Sequence, residues 1–207
     1  MPHTLYIVST PIGNLEDITF RAIRILKEAD IIAAEDTRVT RKLLSRYDIH
    51  TPLISYHQQS KPGRLEEIVE MLRDGKDVAL VSDAGTPGIS DPGYELTARC
   101  IQEGILVTAV PGPSAVVNAL VLSGLSTARF SFDGFPPRKR GELGEYLRSV
   151  KHEKRTLCLY ESPARLLKTL IAIREELGNR QAAVVREATK VFEEVIRGDI
   201  TKLIEHF

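Results

Sequence analysis

Short apolar runs rich in β-branched residues alternate along the chain with longer stretches in which apolar residues recur every three or four positions. The runs predict β-strands, and the stretches predict amphipathic helices. Strands are predicted at residues 5–9, 31–34, 53–55, 77–81, 105–110, 129–132, 156–160, 182–186 and 191–197. Helices are predicted at residues 17–29, 37–46, 64–73, 92–103, 114–123, 142–150, 165–177 and 199–206, with Asp17 as the N-cap of the first. This alternation is typical of a parallel sheet with helices on both faces.

The chain is long enough for one large domain or two small ones. The alternation of strands and helices becomes less regular after Gly124. We therefore predict an N-terminal α/β domain over residues 1–124 and a C-terminal α/β domain over residues 125–207. In the C-terminal domain, the last two predicted strands follow each other without a helix between them.

The composition, with 43% hydrophobic and 27% charged residues, is that of an ordinary globular protein. The 28 Lys and Arg residues balance the 28 Asp and Glu residues, so the formal net charge is zero. This balance excludes a polycation that nucleic acid attracts through its overall charge, whereas a local basic patch can still bind RNA. Cys100 and Cys158 each lie in an apolar stretch, which predicts two buried, reduced thiols in a cytoplasmic protein.

Residues 105–128 contain no charged side chain and could be taken for a membrane span. Pro111-Gly112-Pro113 lies in the middle of this segment and would break a membrane helix, leaving backbone groups unpaired in lipid. A buried strand, a tight turn and a buried helix fit the segment better. We therefore expect no membrane partner.

Loops that combine Gly or Pro with small hydroxyl residues follow several predicted strands. They are residues 9–14, 82–93, 111–115 and 160–163. Glycine lets the backbone approach a ligand closely, and proline fixes a loop in advance. Any one of these loops is explained well enough as a structural turn. Together they favour a ligand site, because ligands of parallel α/β sheets bind beyond the carboxyl ends of the strands.

Familiar catalytic and nucleotide-binding motifs are absent from the sequence. It contains no GxGxxG after the first strand, no GxxxxGK[ST], no HExxH, no paired CxxC and no GxSxG. The histidines are scattered without the spacing of metal ligands, so no metal site is expected.

Charged residues suggest two further kinds of site. Glu35 and Asp36 directly follow a predicted strand, and Arg38 lies beside them. Asp36 could cap the following helix, or either carboxylate could position or deprotonate a substrate hydroxyl. Basic clusters are formed by Arg41 and Lys42 and by Arg138, Lys139 and Arg140. Such clusters are solvated turns in most proteins, but they are also what contact with an RNA phosphate backbone requires.

Five segments, in this order along the chain, carry a family resemblance: residues 8–19, 34–38, 82–93, 111–115 and 160–163. Together they resemble the tetrapyrrole methylase superfamily, the class III methyltransferases. Within it they are most similar to members that methylate the 2′-hydroxyl of a cytidine in 16S rRNA. The resemblance implies two α/β domains, with a parallel sheet in the first and a mixed sheet in the second, and S-adenosylmethionine in the cleft between them. It also implies that the protein forms a homodimer and that its partner is 16S rRNA in the small ribosomal subunit.

The resemblance further implies which residues bind the cofactor, whereas the catalytic and RNA-binding candidates come from the charged residues described above. The cofactor would contact Pro11, Ala84, Gly85, Thr86, Ile89, Ser114, Ala115, Tyr160, Glu187 and Ala188. The candidate catalytic residues are Glu35, Asp36 and Arg38, with a carboxylate as the base and the arginine orienting a phosphate. RNA would contact Arg41, Lys42, Arg138, Lys139 and Arg140.

Two departures from the family pattern leave alternatives open. Ala164 stands where related members often carry histidine, and the family continues past the position of Phe207, so we expect the second domain to be truncated. One alternative is a methylase of a tetrapyrrole carbon, although the segment at Glu35 and the basic loop at Arg138 favour RNA. Another is a module that binds cofactor or RNA without catalysis.

Overall fold

A computed structural model describes residues 3–57, 63–91 and 93–207. The chain forms two compact units, Met1–Ser114 and Ala115–Phe207. Within the described residues, no helix is long and apolar enough to cross a membrane.

The first unit is a five-stranded sheet with four helices. Its strands are β1 (Thr4–Val8), β2 (Ile31–Ala34), β3 (Leu53–Ser55), β4 (Val78–Val81) and β5 (Leu106–Val110). Its helices are α1 (Phe20–Glu28), α2 (Thr37–Arg46), α3 (Arg64–Arg73) and α4 (Tyr94–Gln102), with a 3-10 helix at Leu15–Asp17. The strand order is β3-β2-β4-β1-β5 and every pairing is parallel, which confirms the parallel sheet predicted for this part of the chain. Pro92, where the fourth helix is predicted to begin, lies outside the described residues.

Alternate strand residues of the first unit enter two apolar layers, as the two-residue period of a strand requires. One layer joins Val8, Ile32 and Val81 to side chains of α1 and α2. The other joins Ile7, Ala33 and Leu80 to side chains of α3 and α4. Each face of the sheet thus packs against a pair of helices, whereas Leu106 on the edge strand β5 is exposed.

The second unit contains two separate strand pairs. Its elements are α5 (Ala115–Ser123), β6 (Phe130–Phe132), α6 (Arg140–Ser149), β7 (Thr156–Cys158), α7 (Pro163–Leu177), β8 (Gln181–Arg186), β9 (Glu194–Asp199) and α8 (Ile200–His206). β6 and β7 pair in parallel, and β8 and β9 pair antiparallel. Parallel and antiparallel strand pairing are thus both present among the described residues. They occur in two separate two-stranded ladders instead of the single mixed sheet predicted. The last strand begins at Glu194 instead of residue 191, because Val191 and Phe192 lie exposed in a turn.

The units divide before α5, whereas the sequence-based boundary lies after it. The Arg197 guanidinium of β9 donates from Nε and Nη2 to the Leu122 carbonyl of α5, at 2.8 and 2.6 Å. α5 also packs against β8. Contacts of this kind between distant residues cannot be predicted from the local sequence. The change in the pattern of strands and helices after Gly124 therefore marks the end of α5, which belongs to the second unit.

Two local predictions are wrong. Asp17 does not cap the first long helix; it lies in the preceding 3-10 helix, and α1 begins after Thr19, whose Oγ1 accepts a hydrogen bond from the Ala22 amide at 3.0 Å. Cys158 is only partly buried, whereas Cys100 is fully buried as predicted. Burial raises the pKa of the Cys100 thiol to about 11. Cys158 lies on β7, a strand of a two-stranded ladder whose residues are all only partly buried.

The identity of the α1 cap can be tested by comparing two substitutions. Thr19→Ala removes the hydroxyl that satisfies the Ala22 amide and should lower the free energy of unfolding by about 1 kcal/mol. Asp17→Ala, on an exposed residue, should change it by less than about 0.5 kcal/mol. Urea unfolding followed by circular dichroism measures both. A larger loss for Asp17→Ala would contradict this assignment.

Candidate functional site

Two backbone hydrogen bonds join the loops that follow β1 and β4. The Thr10 amide donates to the Gly85 carbonyl at 2.9 Å, and the Gly85 amide donates to the Thr10 carbonyl at 3.0 Å. Gly85 has a φ of +83°, a conformation that favours glycine. The two loops are therefore held against each other at the carboxyl edge of the sheet.

Buried hydroxyl groups extend this connection to the loop after β5. The Oγ atoms of Ser9 and Thr86 are hydrogen-bonded at 2.8 Å, and Thr86 Oγ1 donates to the Pro113 carbonyl at 3.4 Å. Thr10 Oγ1 donates to the Ser82 carbonyl at 3.1 Å. The small hydroxyl residues of these loops thus hold the loops to one another.

Gly112 lies where the chain has no room for a side chain. A Cβ atom at this position would lie 2.9 Å from the Ser9 Cβ, closer than two such atoms approach in proteins. The Ser9 amide also donates to the Val110 carbonyl at 3.3 Å. The loop after β5 is therefore packed directly on the loop after β1.

A carboxylate cluster lies where β2 and β4 end. Glu35 Oε2 accepts a hydrogen bond from the Asp83 amide at 3.2 Å, and Asp83 Oδ1 accepts one from the Asp36 amide at 3.0 Å. Asp91 Oδ1 accepts a hydrogen bond from the Gly88 amide. Backbone amides thus bring several carboxylates to one edge of the sheet.

The carboxyl group of Glu35 lies in an environment that disfavours its charged form. Burial raises the pKa of its carboxyl above the ordinary value, and the Asp83 and Asp91 carboxylates add to the rise. The hydrogen bond from the Asp83 amide and the charge of His57 oppose the rise. A carboxylate with a raised pKa accepts a proton more readily than an exposed one.

Asp36 has the opposite electrostatic environment. It is the N-cap of α2, with Oδ1 accepting from the Arg38 amide at 2.8 Å, which confirms the capping interpretation. Its carboxylate also accepts from the Arg38 guanidinium, with Nη2 2.6 Å from Oδ2. These hydrogen bonds hold the pKa of Asp36 at about 2. Asp36 is therefore a poor proton acceptor near neutral pH.

The predicted cofactor loops of the first unit are brought together, since Gly85 contacts Thr10, next to Pro11, and Thr86 contacts Pro113, next to Ser114. Ala84 and Ile89 are exposed on the same loop as Gly85. Of the predicted set in the second unit, Ala115 begins α5, and Tyr160 follows β7. Glu187 and Ala188 follow β8. The expected cleft between domains stays a prediction.

The predicted basic contacts lie on exposed surfaces. Arg41 and Lys42 are exposed on α2, and Arg138, Lys139 and Arg140 are exposed at the start of α6. Lys139 Nζ is 2.9 Å from Glu142 Oε1, so part of its charge is neutralised. The described residues contain no group of His, Cys, Asp and Glu side chains that could hold a metal ion.

Sequence reasoning did not single out Asp83 and Asp91 as site residues. Both lie within the segment of residues 82–93 that carried the family resemblance. Because their carboxylates raise the pKa of Glu35, they belong to the electrostatics of this edge. The sequence signal that could have identified them is the presence of two acidic residues in a Gly- and Pro-rich loop directly after a strand.

Four helices on a parallel sheet, with joined loops at its carboxyl edge, define a class of α/β proteins that bind a ligand at the strand ends. Residues 4–204 match the family of tetrapyrrole (corrin/porphyrin) methylases. The chain therefore belongs to that family, and it is a methyltransferase whose methyl donor is S-adenosylmethionine.

Curated relatives give a more particular likeness. Ribosomal RNA small subunit methyltransferase I of Halalkalibacterium halodurans is 53% identical over 201 residues, which are 97% of this chain and 70% of that protein. The protein of the same name from Thermotoga maritima is 49% identical over 203 residues, 98% of this chain and 91% of that protein. The Bacillus subtilis protein of this name is 50% identical over 200 residues, 97% of this chain and 68% of that protein.

Solved structures share the fold at low sequence identity. Cobalt precorrin-4 methyltransferase has a TM-score of 0.67 and 20% identity, with 98% of this chain and 88% of that chain covered. Diphthine synthase has a TM-score of 0.68 and 17% identity, with 98% and 84% covered. These likenesses show the tetrapyrrole methylase fold of the chain.

The loops of the first unit fit S-adenosylmethionine chemically. Ala84, Gly88 and Pro111 are small or rigid, uncharged and exposed, so a ligand can reach the main chain beside them. The donor carries a sulfonium cation, and the carboxylates of Glu35 and Asp91 provide negative charge at the same edge. Opposite charges at short range attract in this way.

The close contact at Gly112 yields a test of the joined loops. Gly112→Ala places a methyl group against Ser9 and should force the loops apart, lowering S-adenosylmethionine affinity about tenfold or more and stability by about 1–3 kcal/mol. Isothermal titration calorimetry and urea unfolding measure the two effects.

The matched control is Gly141→Ala, at a position where a Cβ would meet no atom within 4 Å. We expect it to leave cofactor affinity unchanged. An unchanged affinity for Gly112→Ala would show that cofactor binding does not depend on the contact between Gly112 and Ser9.

Proposed function

We propose that the protein transfers the methyl group of S-adenosylmethionine to the ribose 2′-hydroxyl of a cytidine in 16S rRNA. The observation that carries this proposal is the set of relatives about half identical to nearly the whole chain and named ribosomal RNA small subunit methyltransferase I. The proposed cofactor contacts in the first unit are Pro11, Ala84, Gly85, Thr86, Ile89 and Ser114. Those in the second unit are Ala115, Tyr160, Glu187 and Ala188.

The proposed chemistry needs a base near the donor. The ribose hydroxyl is a poor nucleophile until its proton is removed, and a positioned base typically contributes about 10²–10⁴-fold in rate. Glu35 is the better candidate, because burial raises the pKa of its carboxyl and its Oε2 is fixed by the Asp83 amide. Bound S-adenosylmethionine would supply the methyl group to the hydroxyl oxygen, and the Glu35 carboxylate would hold the proton taken from that hydroxyl.

Asp36 and Arg38 have a positioning role in this proposal. Asp36 begins α2 and holds the Arg38 guanidinium, while the Arg38 side chain is 84% exposed. An exposed guanidinium fixed from one side can pair with a phosphate from the other. Arg41 and Lys42 lie on the same helix and Arg138, Lys139 and Arg140 begin another, which suits them to contact the RNA backbone.

The direct test is methyl transfer from labelled S-adenosylmethionine to small ribosomal subunits that lack this modification. Digestion of the RNA and mass spectrometry of the nucleosides should give 2′-O-methylcytidine. Transfer to a tetrapyrrole ring, with none to the subunits, would favour the alternative methylase. Cofactor binding without transfer to either would favour a non-catalytic module.

Paired substitutions separate the roles of Glu35 and Asp36. Glu35→Gln should lower kcat about 10²-fold or more, because the amide cannot accept the proton. Cofactor affinity should fall by less than about tenfold, because only one of the negative charges near the sulfonium is lost. Asp36→Asn should lower kcat less than about tenfold, since asparagine also caps helices well. Single-turnover methylation and calorimetry measure these effects.

The pH profile gives a second readout of the base. The pKa of Glu35 is raised above 4.5, so kcat of the unchanged protein should fall as the pH drops through that raised value. This limb should be missing from the residual activity of Glu35→Gln. The same acidic limb in both proteins would remove Glu35 from the mechanism.

The expected homodimer and cytoplasmic location also remain proposals. Apolar side chains are exposed along α4 and the edge strand β5: Tyr94 by 75%, Ile101 by 62% and Leu106 by 47%. They line an open groove of about 830 Å³. An exposed apolar patch of this kind marks an interaction surface, and we propose that a second copy covers it.

Charge substitution in the apolar patch tests the dimer. The double variant Ile101→Glu/Leu106→Glu should shift the mass measured by light scattering during size-exclusion chromatography from dimer to monomer. Phe20→Glu, at a side chain that is 93% exposed on α1, is the control and should remain dimeric. A monomeric mass for the unchanged protein at micromolar concentration would refute the proposed dimer.

A further inference from the structure

The basic residues Arg138, Lys139 and Arg140 follow a short loop of fixed shape. We name Phe135-Pro136-Pro137 the proline loop; it connects the end of β6 to the start of α6. Pro136 is buried, whereas Phe135 is 57% exposed. Each proline has a fixed φ and lacks an N–H group, so the loop offers its carbonyl oxygens as the main-chain groups for contact.

One arginine side chain holds these carbonyl oxygens. Arg165, in the first turn of α7, donates from Nη2 to the Pro137 carbonyl at 2.8 Å and to the Pro136 carbonyl at 3.4 Å. The side chain of Arg165 is 24% exposed, so the contact is largely shielded from water. A hydrogen bond from a charged donor is stronger than one between neutral groups.

A buried carboxylate fixes Arg165 in turn. Glu161 Oε2 lies 3.3 Å from Arg165 Nη2, and the Glu161 side chain is only 7% exposed. The Thr169 hydroxyl donates to Oε2 at 2.7 Å, and the Ser162 amide donates to Oε1 at 2.7 Å. Each oxygen of this carboxylate thus has a partner, as a buried charge requires.

The same turn is attached to the other end of the loop through Tyr160. Its amide donates to the Gly134 carbonyl at 2.8 Å, and its ring packs against Phe132 and Phe135 with centroids 4.7 and 5.5 Å away. The proline loop is therefore attached to the start of α7 at both of its ends. Tyr160-Glu161-Ser162-Pro163 was singled out in the sequence, and Glu161 has no role in the proposed chemistry.

We propose that Glu161 and Arg165 are positioning residues for RNA: they fix the proline loop so that Arg138, Lys139 and Arg140 meet the RNA backbone in one arrangement. The inference rests on the proposed function, in which these basic residues bind the ribosomal RNA. A loop that is ordered before binding loses less conformational entropy when RNA binds. Without the two carbonyl contacts, the same three charges would be present but spread over many positions.

The test uses a double variant that leaves the net charge unchanged. Arg165→Met/Glu161→Gln in the full chain removes both charges together, so no buried carboxylate is left alone and general attraction to RNA is preserved. The matched control is Arg148→Met/Glu176→Gln, which removes another ion pair of the second unit, with Nη1 and Oε1 2.7 Å apart, that does not touch the proline loop. Steady-state methylation of small ribosomal subunits gives KM and kcat, and calorimetry gives cofactor affinity.

We expect the KM for subunits to rise about tenfold in the Arg165 double variant, because a loop that is not ordered before binding loses more conformational entropy when RNA binds, with kcat and cofactor affinity unchanged. Amide hydrogen exchange at residues 138–140 should become faster in the free protein. The control variant should match the unchanged protein in every readout. A KM equal to that of the control, or a loss of kcat with KM unchanged, would overturn the proposal.

Two further variants keep the test decisive. Arg165→Lys keeps the charge beside Glu161 but not the planar guanidinium, and its KM should rise about threefold even if the double variant does not fold. Arg138→Gln/Arg140→Gln tests the proposed function alone. If that variant leaves the KM for subunits unchanged, Arg138 and Arg140 do not bind RNA. If it raises KM while the Arg165 variants do not, only the positioning role of Glu161 and Arg165 fails.

Discussion

The reciprocal hydrogen bonds between Thr10 and Gly85 are the contact on which the site of the first unit depends. β1 and β4 are neighbours in the sheet, but nothing in the strand pairing alone requires the loops beyond them to meet. The two hydrogen bonds join these loops directly. The contacts of Ser9 with Thr86 and with Gly112 then attach the loop after β5 to them. Residues far apart in the sequence thus form one surface, on which Ala84, Gly88 and Pro111 are exposed.

Two adjacent carboxylates show how the local environment sets their chemistry. Glu35 and Asp36 are neighbours in sequence, yet burial and nearby carboxylates raise the pKa of Glu35, while Arg38 holds that of Asp36 at about 2. The difference comes from which atoms each carboxylate meets after the turn into α2. One group is suited to accept a proton and the other to hold a helix and an arginine.

Most elements were predictable because their signals are local. The helix at Thr37–Arg46 and its Asp36 cap follow from apolar spacing and a capping side chain, and both were confirmed. The predicted cap of α1 was wrong because Asp17 and Thr19 are both good capping residues. Asp17 belongs to the preceding 3-10 helix, so Thr19 is the residue that caps α1. The pairing of α5 with β8 and β9, and the role of Asp83 beside Glu35, depend on contacts between distant residues that no sequence pattern displays.

We propose that S-adenosylmethionine binds the joined loops at the carboxyl edge of the first sheet. Amide hydrogen exchange with and without the cofactor, read by mass spectrometry across the full chain, tests it most directly. We predict slower exchange in residues 9–14, 82–91 and 110–114, and little change in α1 and α3, which lie on the two faces of the sheet. Protection confined to other segments, or none at saturating cofactor, would contradict the account.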